Sequence, residues 1–314
     1  MSSHRKTVSV VITCYNQGQF VSEAINSVIA QKTDHDIEII VVDDGSKDDT
    51  AQAIKQFNDV HYIQQKNQGV VAARNHGLGQ AKGNYIIFLD GDDRLLPDAL
   101  QIGVTDLEAH PQCAFVYGRC RLIDSLGAEI SIPHIPFVEK NHYAQLLREN
   151  FIWMPAVVMY RRSVFESVGG FNPTANHSSD YELYLRITRK FPVHCHSKVV
   201  ADYRHHRDNV THNSALLLSS TIGTHRTQWK YVKGNKELEE HYQRGLKFWR
   251  EFYGERTAEK IRRRMRSHRE LRQAASDALI LLQYSPRILA RHLMCKLRRV
   301  LTLHKKEHLT EEKF

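Results

Sequence analysis

The sequence has few cysteines and no long apolar run. Its five cysteines (Cys14, Cys113, Cys120, Cys195, Cys295) are scattered among 314 residues and never form a C-x-x-C pair. A disulfide framework or a cysteine-rich zinc site is therefore not expected, and a reducing cytoplasm is the expected setting. No stretch of about 18 apolar residues occurs, so no helix is expected to span a bilayer. The opening MSSHRKTVSVVITCYN turns polar again after a short apolar run and lacks a small-residue cleavage site, so it does not read as a secretory signal. The phosphate-binding pattern G-x-x-x-x-G-K-[ST] is absent. The first strand–helix turn, Thr13-Cys14-Tyr15-Asn16-Gln17-Gly18, is not the G-x-G-x-x-G of a dinucleotide fold. Gly77-x-Gly79 comes nearest but lacks a third glycine.

What remains is an ordinary globular composition, 41% hydrophobic and 25% charged, which excludes a disordered or low-complexity chain. The net charge of +9 is unevenly placed. Residues 1–220 carry 21 Lys and Arg against 24 Asp and Glu, whereas residues 221–314 carry 23 against 11. A near-neutral unit over residues 1–218 followed by a basic helical extension over 219–314 is the expected organisation.

Strand and helix patterns alternate through the first part. Val8–Ile12, Glu38–Val42, His61–Ile63 and Tyr85–Leu89 read as strands. Helical apolar spacing separates them over Phe20–Ile29, Ala51–Phe57 and Val70–Leu78. A helix after Pro97, strands near Cys113–Tyr117 and Ala156–Tyr160, and a helix near Tyr181–Phe191 follow. Such alternation predicts an α/β fold with a mostly parallel, Rossmann-like sheet flanked by helices. From about Ser219 charged helical patterns dominate, with breaks expected at Gly254 and Pro286.

Acidic residues stand at the ends of these strands: Asp43-Asp44 after the second and Asp90-Gly91-Asp92-Asp93 after the fourth. Ligands of open α/β sheets bind at the carboxyl ends of strands. Carboxylates beside a diphosphate make chemical sense when a divalent cation lies between them, since hard cations prefer oxygen ligands. A metal-dependent sugar-nucleotide site fits this pattern.

The segments VVITCYNQG, IIVVDDGSKDDT, NQGVVAARNHG and YIIFLDGDD resemble the family 2 glycosyltransferases. So do Arg161-Arg162, Phe165, VGGF at 168–171, DYELYLR at 180–186 and YRHH at 203–206. The resemblance covers roughly residues 7–212, with the motifs in order. It implies a GT-A fold and an inverting transfer of sugar from a nucleotide-sugar, UDP-sugar by default, to an acceptor hydroxyl. It also implies a divalent cation, Mn or Mg, and a saccharide or lipid-linked saccharide acceptor in cell-surface polysaccharide synthesis.

Roles carry over residue by residue, each with a structural alternative. Thr13 and Tyr15 would flank the base, or simply pack the turn. Asp44 would accept the N–H of the nucleobase, or form an Asx turn. Arg74 would offer a planar donor fork to the nucleotide, or pair with a nearby aspartate. Asn67 would shape the loop leading there. Asp90 would lie near the ribose and Asp92 would bind the metal, with His206 as a further ligand; Asp93 would be a second metal ligand or a helix N-cap. Asp180 would be the catalytic base, or cap the helix beginning at Tyr181. Where the family has Glu-Asp, this chain has Ser179-Asp180, so one neighbouring carboxylate is missing. His194-Cys195-His196 lacks the usual zinc ligand set and reads as an ordinary strand segment.

The stretch after Pro286 interleaves an apolar stripe (Ile288, Leu289, Leu293, Met294, Leu297, Val300, Leu301) with Arg and Lys. It suits an anionic membrane surface, or packing and homo-oligomerisation. No nucleic-acid motif or aromatic interleaving is present. Two rival readings are a sugar nucleotidyltransferase, disfavoured by the missing glycine-rich first loop, and a degenerate binding module with a basic membrane- or partner-binding tail. Retention of Asp44, Asp90, Asp92 and Asp180 together disfavours the second.

Overall fold

The computed structural model describes residues 5–206, 209–266, 270–292 and 294. The chain divides into two compact units, Met1–Asn209 and Val210–Phe314.

The first unit is built on one nine-stranded sheet. Strands β1 (Thr7–Cys14), β2 (Asp36–Asp43), β3 (His61–Gln64) and β4 (Tyr85–Asp90) are parallel, in the order β3-β2-β1-β4. Helices α1 (Val21–Ile29), α2 (Thr50–Ile54) and α3 (Val70–Gln80) connect them. Val10, Val11, Ile12, Ile40, Val41, Ile86 and Phe88 are buried. Sheets covered on both faces by crossover helices have strands of this near-continuous apolar kind.

Beyond β4 the sheet changes character. β8 (Val158–Arg161) is antiparallel to both β4 and β6 (Phe115–Ile123), and β9 (His194–Arg204) runs parallel to β6. The short β5 (Arg94–Leu95) and β7 (Glu129–Ser131) pair antiparallel with β9 and β6. Helices α4 (Ala99–Ala109), α5 (His142–Arg148), α6 (Ser163–Val168) and α7 (Ser179–Thr188) complete the unit. The α/β architecture expected from strand–helix alternation is the one observed.

The second unit contains α8 (Ser214–Thr227), α9 (Trp229–Val232), α10 (Lys236–Arg264) and α11 (Leu271–Tyr284), and residues 286–292 are again helical. The compositional boundary at 218/219 falls inside α8, because the charge shift follows the exposed faces of the helices rather than the chain's structural division. Gly254 does not break a helix: α10 runs straight through it. A β-carbon there would stand 2.6 Å from Ile288 Cδ1, so this glycine serves a close approach. The break at Pro286 is real, since α11 ends at Tyr284. No helix among the described residues is long and apolar enough to cross a membrane. Of the apolar stripe, Leu293 and the positions from 295 on lie outside the described residues.

Candidate active site

Strand register gathers the expected residues. Thr13 at the end of β1 pairs with Asp90 at the end of β4, and Cys14 pairs with Asp43 at the end of β2. Neighbouring strands lie about 4.8 Å apart, so the three acidic or polar strand ends form one shelf. Thr13 Oγ1 donates to Asp90 Oδ1 at 3.3 Å. Asn16, in left-handed conformation (φ 52°), accepts the Lys47 N–H on Oδ1, and its own N–H donates to Ser46 Oγ. These bonds tie the β1 loop to the β2 loop. Tyr15 stands 42% exposed on this shelf.

Asp43 and Asp44 are both buried but do different things. Asp43 accepts from Ser46 N–H, Tyr62 O–H and Gln64 Nε2, which fixes the strand end. Asp44 accepts from Gln65 Nε2 at 2.8 Å, Gln68 N–H at 2.8 Å and Gly69 N–H at 2.7 Å. Asp44 thereby holds the loop from β3 to α3, on which Asn67 is exposed. A carboxylate has about four acceptor positions, so three such bonds leave one.

The guanidinium of Arg74 on α3 donates through Nη2 to Asp90 Oδ1 at 2.7 Å and Oδ2 at 3.0 Å, and lies 5.5 Å from the Phe171 ring centre. The ion pair foreseen as Arg74's structural alternative is therefore formed. Its Nε is buried without a hydrogen-bond partner among the described residues.

Asp180 lies inside the first turn of α7 rather than at its cap: the helix begins at Ser179, and Ser178 is the cap residue. The Asp180 carboxylate instead accepts the N–H of Tyr181 at 2.8 Å. Burial pushes its pKa upward, while the Arg74 cation and the Tyr181 N–H pull it back. The Asp90 charge pushes the same way as burial, so α7 brings Asp180 into the field of the Arg74–Asp90 pair.

The D-G-D-D loop is clamped from β9. Arg204, fully buried, donates Nε to Asp92 O at 2.8 Å, Nη2 to Glu23 at 2.8 Å and its backbone N–H to Asp93 Oδ1 at 2.8 Å. Its guanidinium also lies 4.8 Å from the Phe20 ring centre. Asp93 is thus a buried acceptor for β9 rather than a helix cap; Asp98 occupies the cap position of α4. Burial and the Asp92 and Asp90 charges hold the Asp93 carboxyl well above the usual carboxylate range. His206 Nε2 meets Asp92 Oδ2 at 2.8 Å, and its ring packs on Phe20. Gly91 is required by crowding, since a β-carbon there would lie 2.6 Å from Gln17 Oε1 and 2.8 Å from Cys14 Cβ.

Several positioning residues escaped the sequence reading. Asn75 binds the backbone of Phe171 twice, donating Nδ2 to its carbonyl at 2.8 Å and accepting its N–H at 2.7 Å. Arg186 on α7 pairs with Glu182 and donates to the Gly170 carbonyl at 2.8 Å and to the Val168 carbonyl. The VGGF segment is therefore fastened to α3 and α7 at once, which sets Arg74 and Asp180 relative to each other. Asp202, also buried, joins Arg94 and Arg121. These partners lie as much as 108 residues apart in sequence, and no local pattern announces them.

Residues 9–169 match the family described as Glycosyl transferase family 2, and the chain belongs to that family. The fold is that of a GT-A glycosyltransferase. A Staphylococcus aureus TarS structure (residues 1–349, in complex with UDP) superposes with a TM-score of 0.59 at 18% identity, covering 90% of this chain and 82% of that one. A Rickettsia felis protein named as an uncharacterised glycosyltransferase is 28% identical over 213 residues, 64% of this chain and 34% of the relative. Escherichia coli chondroitin synthase is 28% identical over 213 residues, 65% of this chain and 30% of that enzyme. The chain thus spans about a third of the length of these curated relatives.

Proposed function

We propose that the protein transfers a sugar from a UDP-sugar to a hydroxyl of a saccharide acceptor, with inversion at the anomeric carbon. The observation that carries this reading is the convergence of Asp180 on the Arg74–Asp90 pair, beside the Asp92–His206 pair, at the carboxyl ends of the parallel strands. The UDP in the TarS complex supports the choice of donor, and the name of the chondroitin synthase supports a saccharide acceptor.

On this reading Tyr15 and Thr13 flank the base, and the remaining acceptor position of Asp44 receives its N–H. Asn67 shapes the wall of that pocket. Asp90 faces the ribose, and Arg74 fixes its carboxylate there through Nη2. Asp180 removes the proton of the acceptor hydroxyl as the new bond forms; its raised pKa suits a group that must take up that proton.

The donor set fits a hard divalent cation, Mn or Mg. Asp90, Asp92 and Asp93 crowd one loop, and Asp93 Oδ2 is buried without a hydrogen-bond partner among the described residues. Asp92 and His206 would hold the ion, which when bound offsets the charge developing on the departing diphosphate.

Two substitutions test this reading. Asp180→Asn should leave UDP binding by calorimetry unchanged while transfer, or hydrolysis of the donor, falls about 10²-fold or more. Asp92→Asn should weaken UDP binding in the presence of Mn and abolish its sensitivity to EDTA. Full turnover in Asp180→Asn, or equal affinity with Mn, with EDTA and in Asp92→Asn, would overturn the corresponding role.

The basic second unit supports contact with an anionic membrane surface, where a lipid-linked acceptor would reside. Each basic side chain near such a surface contributes about 1 kcal/mol, weakened by salt. Liposome flotation at low and high salt tests this: binding to anionic vesicles should fade as salt rises. No binding at low salt would reject it and leave packing or self-association as the use of these helices.

A further inference from the structure

A second group of ligand-type side chains lies at the opposite end of the sheet. Asp106 and His110 stand one turn apart at the end of α4, and His194 opens β9. One ligand atom from each of the three lies within 4.8 Å of the others. His194 pairs with Val116 near the start of β6, and Met159 of β8 links that level to Ile87 in β4. Asp90 ends β4, so about 10 Å of strand separates this level from the candidate active site.

The three side chains are arranged around a gap rather than bonded to one another. Elsewhere in the chain, a histidine facing a carboxylate closes to a hydrogen bond: His206–Asp92 and His292–Glu255 both stand at 2.8 Å. Here His194 Nε2 stops 3.7 Å from Asp106 Oδ2, and His110 Nδ1 stands 3.8 Å from Asp106 Oδ1. Asp106 Oδ2 is buried and has no hydrogen-bond partner among the described residues. The two imidazoles stack, 3.7 Å between centres and 18° from parallel, which presents their edges side by side. His110 Nδ1 lies 2.9 Å from the Asp106 carbonyl, which can only accept, so Nδ1 donates and the lone pair of the neutral ring is on Nε2. Metal-binding histidines commonly anchor their second nitrogen this way.

We propose that Asp106, His110 and His194 bind a divalent transition cation of the zinc class, tying the end of α4 to the start of β9. Two imidazoles, one carboxylate and a water make a suitable tetrahedral set. Ligand atoms about 2.1 Å from one ion, at angles of about 110–125°, stand about 3.4–3.7 Å apart, the spacing found between His194 and Asp106. All three side chains keep partial solvent access, so an ion could enter.

The test uses the full chain stripped with chelator, titrated with zinc by calorimetry and with cobalt by visible absorption, in the presence of excess magnesium. One zinc equivalent should bind in the wild type and in Asp92→Asn, with tetrahedral cobalt bands and a zinc-dependent rise in melting temperature. His194→Gln and Asp106→Asn should each weaken that binding at least tenfold and abolish the thermal shift. His110→Asn, at the exposed end of α4, provides a variant whose folding without zinc should match the wild type. Zinc binding that is absent from Asp92→Asn, or equally tight in all three cluster variants, would overturn the proposal.

Discussion

Replacing Arg74 with methionine probes the electrostatic centre of the site while keeping an unbranched stem against Phe171. The guanidinium is 7% exposed and bonds both oxygens of Asp90, which is 29% exposed. Breaking a fully buried ion pair by removing one partner destabilises by about 3–5 kcal/mol. Asp90 keeps some access to water, so the expected loss is lower, about 2–3 kcal/mol. For a unit of about 200 residues this corresponds to a melting temperature about 4–12 °C lower. The loss should also depend on pH. Arg74 is the main influence pulling the Asp180 pKa down, so without it Asp180 holds its proton to higher pH in the folded state. The folded variant then binds more protons than the unfolded chain above the ordinary carboxylate value, and its stability falls as pH rises through that window. The deficit relative to wild type should be smaller near pH 4 than at pH 7, by urea melts followed with circular dichroism. The acid limb of donor hydrolysis should move upward in the same variant. Arg74→Lys should recover part of the stability, because the charge returns without the planar group. A methionine variant within 0.5 kcal/mol of wild type at pH 7, with an unshifted acid limb, would refute the reasoning.

In the second unit, burial lowers the pKa of His225 from 6.5 to about 4, with its Nε2 at 2.9 Å from the Tyr242 carbonyl. The unfolded chain takes up this proton first, so stability should decline by up to about 3 kcal/mol as pH falls from 6.5 to 4. His225→Gln should flatten that part of the profile in urea melts; an equally steep decline would exclude His225 as its source. Gly91→Ala should cost about 1–3 kcal/mol and loosen UDP binding, since the new methyl meets Gln17 and Cys14. Adding Gln17→Ala should restore part of the loss, and an unchanged melting curve for Gly91→Ala would show that the loop yields freely.

The parallel half of the sheet was legible because β1, β2 and β4 are β-branched runs ended by turn residues. In the other half β6 and β8 were legible as apolar runs, while β5, β7 and β9 were not. β5 has two residues, β7 has three, and β9 mixes histidine, lysine and aspartate with valine and alanine in a way that matches no simple period. Its polar residues are stabilised by distant partners rather than by solvent. Arg204 is flanked by polar residues in sequence, yet it is fully buried because Glu23, the Asp92 carbonyl and the Asp93 carboxylate meet it there. At the candidate site the strand-end aspartates stood out individually. Which of them clamps a loop, as Asp43 and Asp44 do, and which pairs with a cation, as Asp90 does, is decided by tertiary neighbours. Gly254 was misread because a glycine that ends a helix and one that lets another segment nestle against it look alike in one dimension.

The pair of hydrogen bonds from Asn75 to Phe171 recognises main chain alone. A carboxamide that reads one N–H and one carbonyl is indifferent to the side chain they belong to, and the Phe171 ring is held separately, buried against Phe88 and beside the Arg74 guanidinium. The indifference is one-sided. Aspartate at 75 would lack the donor, glutamine would overreach by a methylene, and any residue larger than glycine at 170 would press on the carboxamide oxygen. Sequence drift along this segment is therefore channelled: positions 75 and 170 constrain each other, and the main-chain grip keeps in register the helices that hold Arg74 and Asp180.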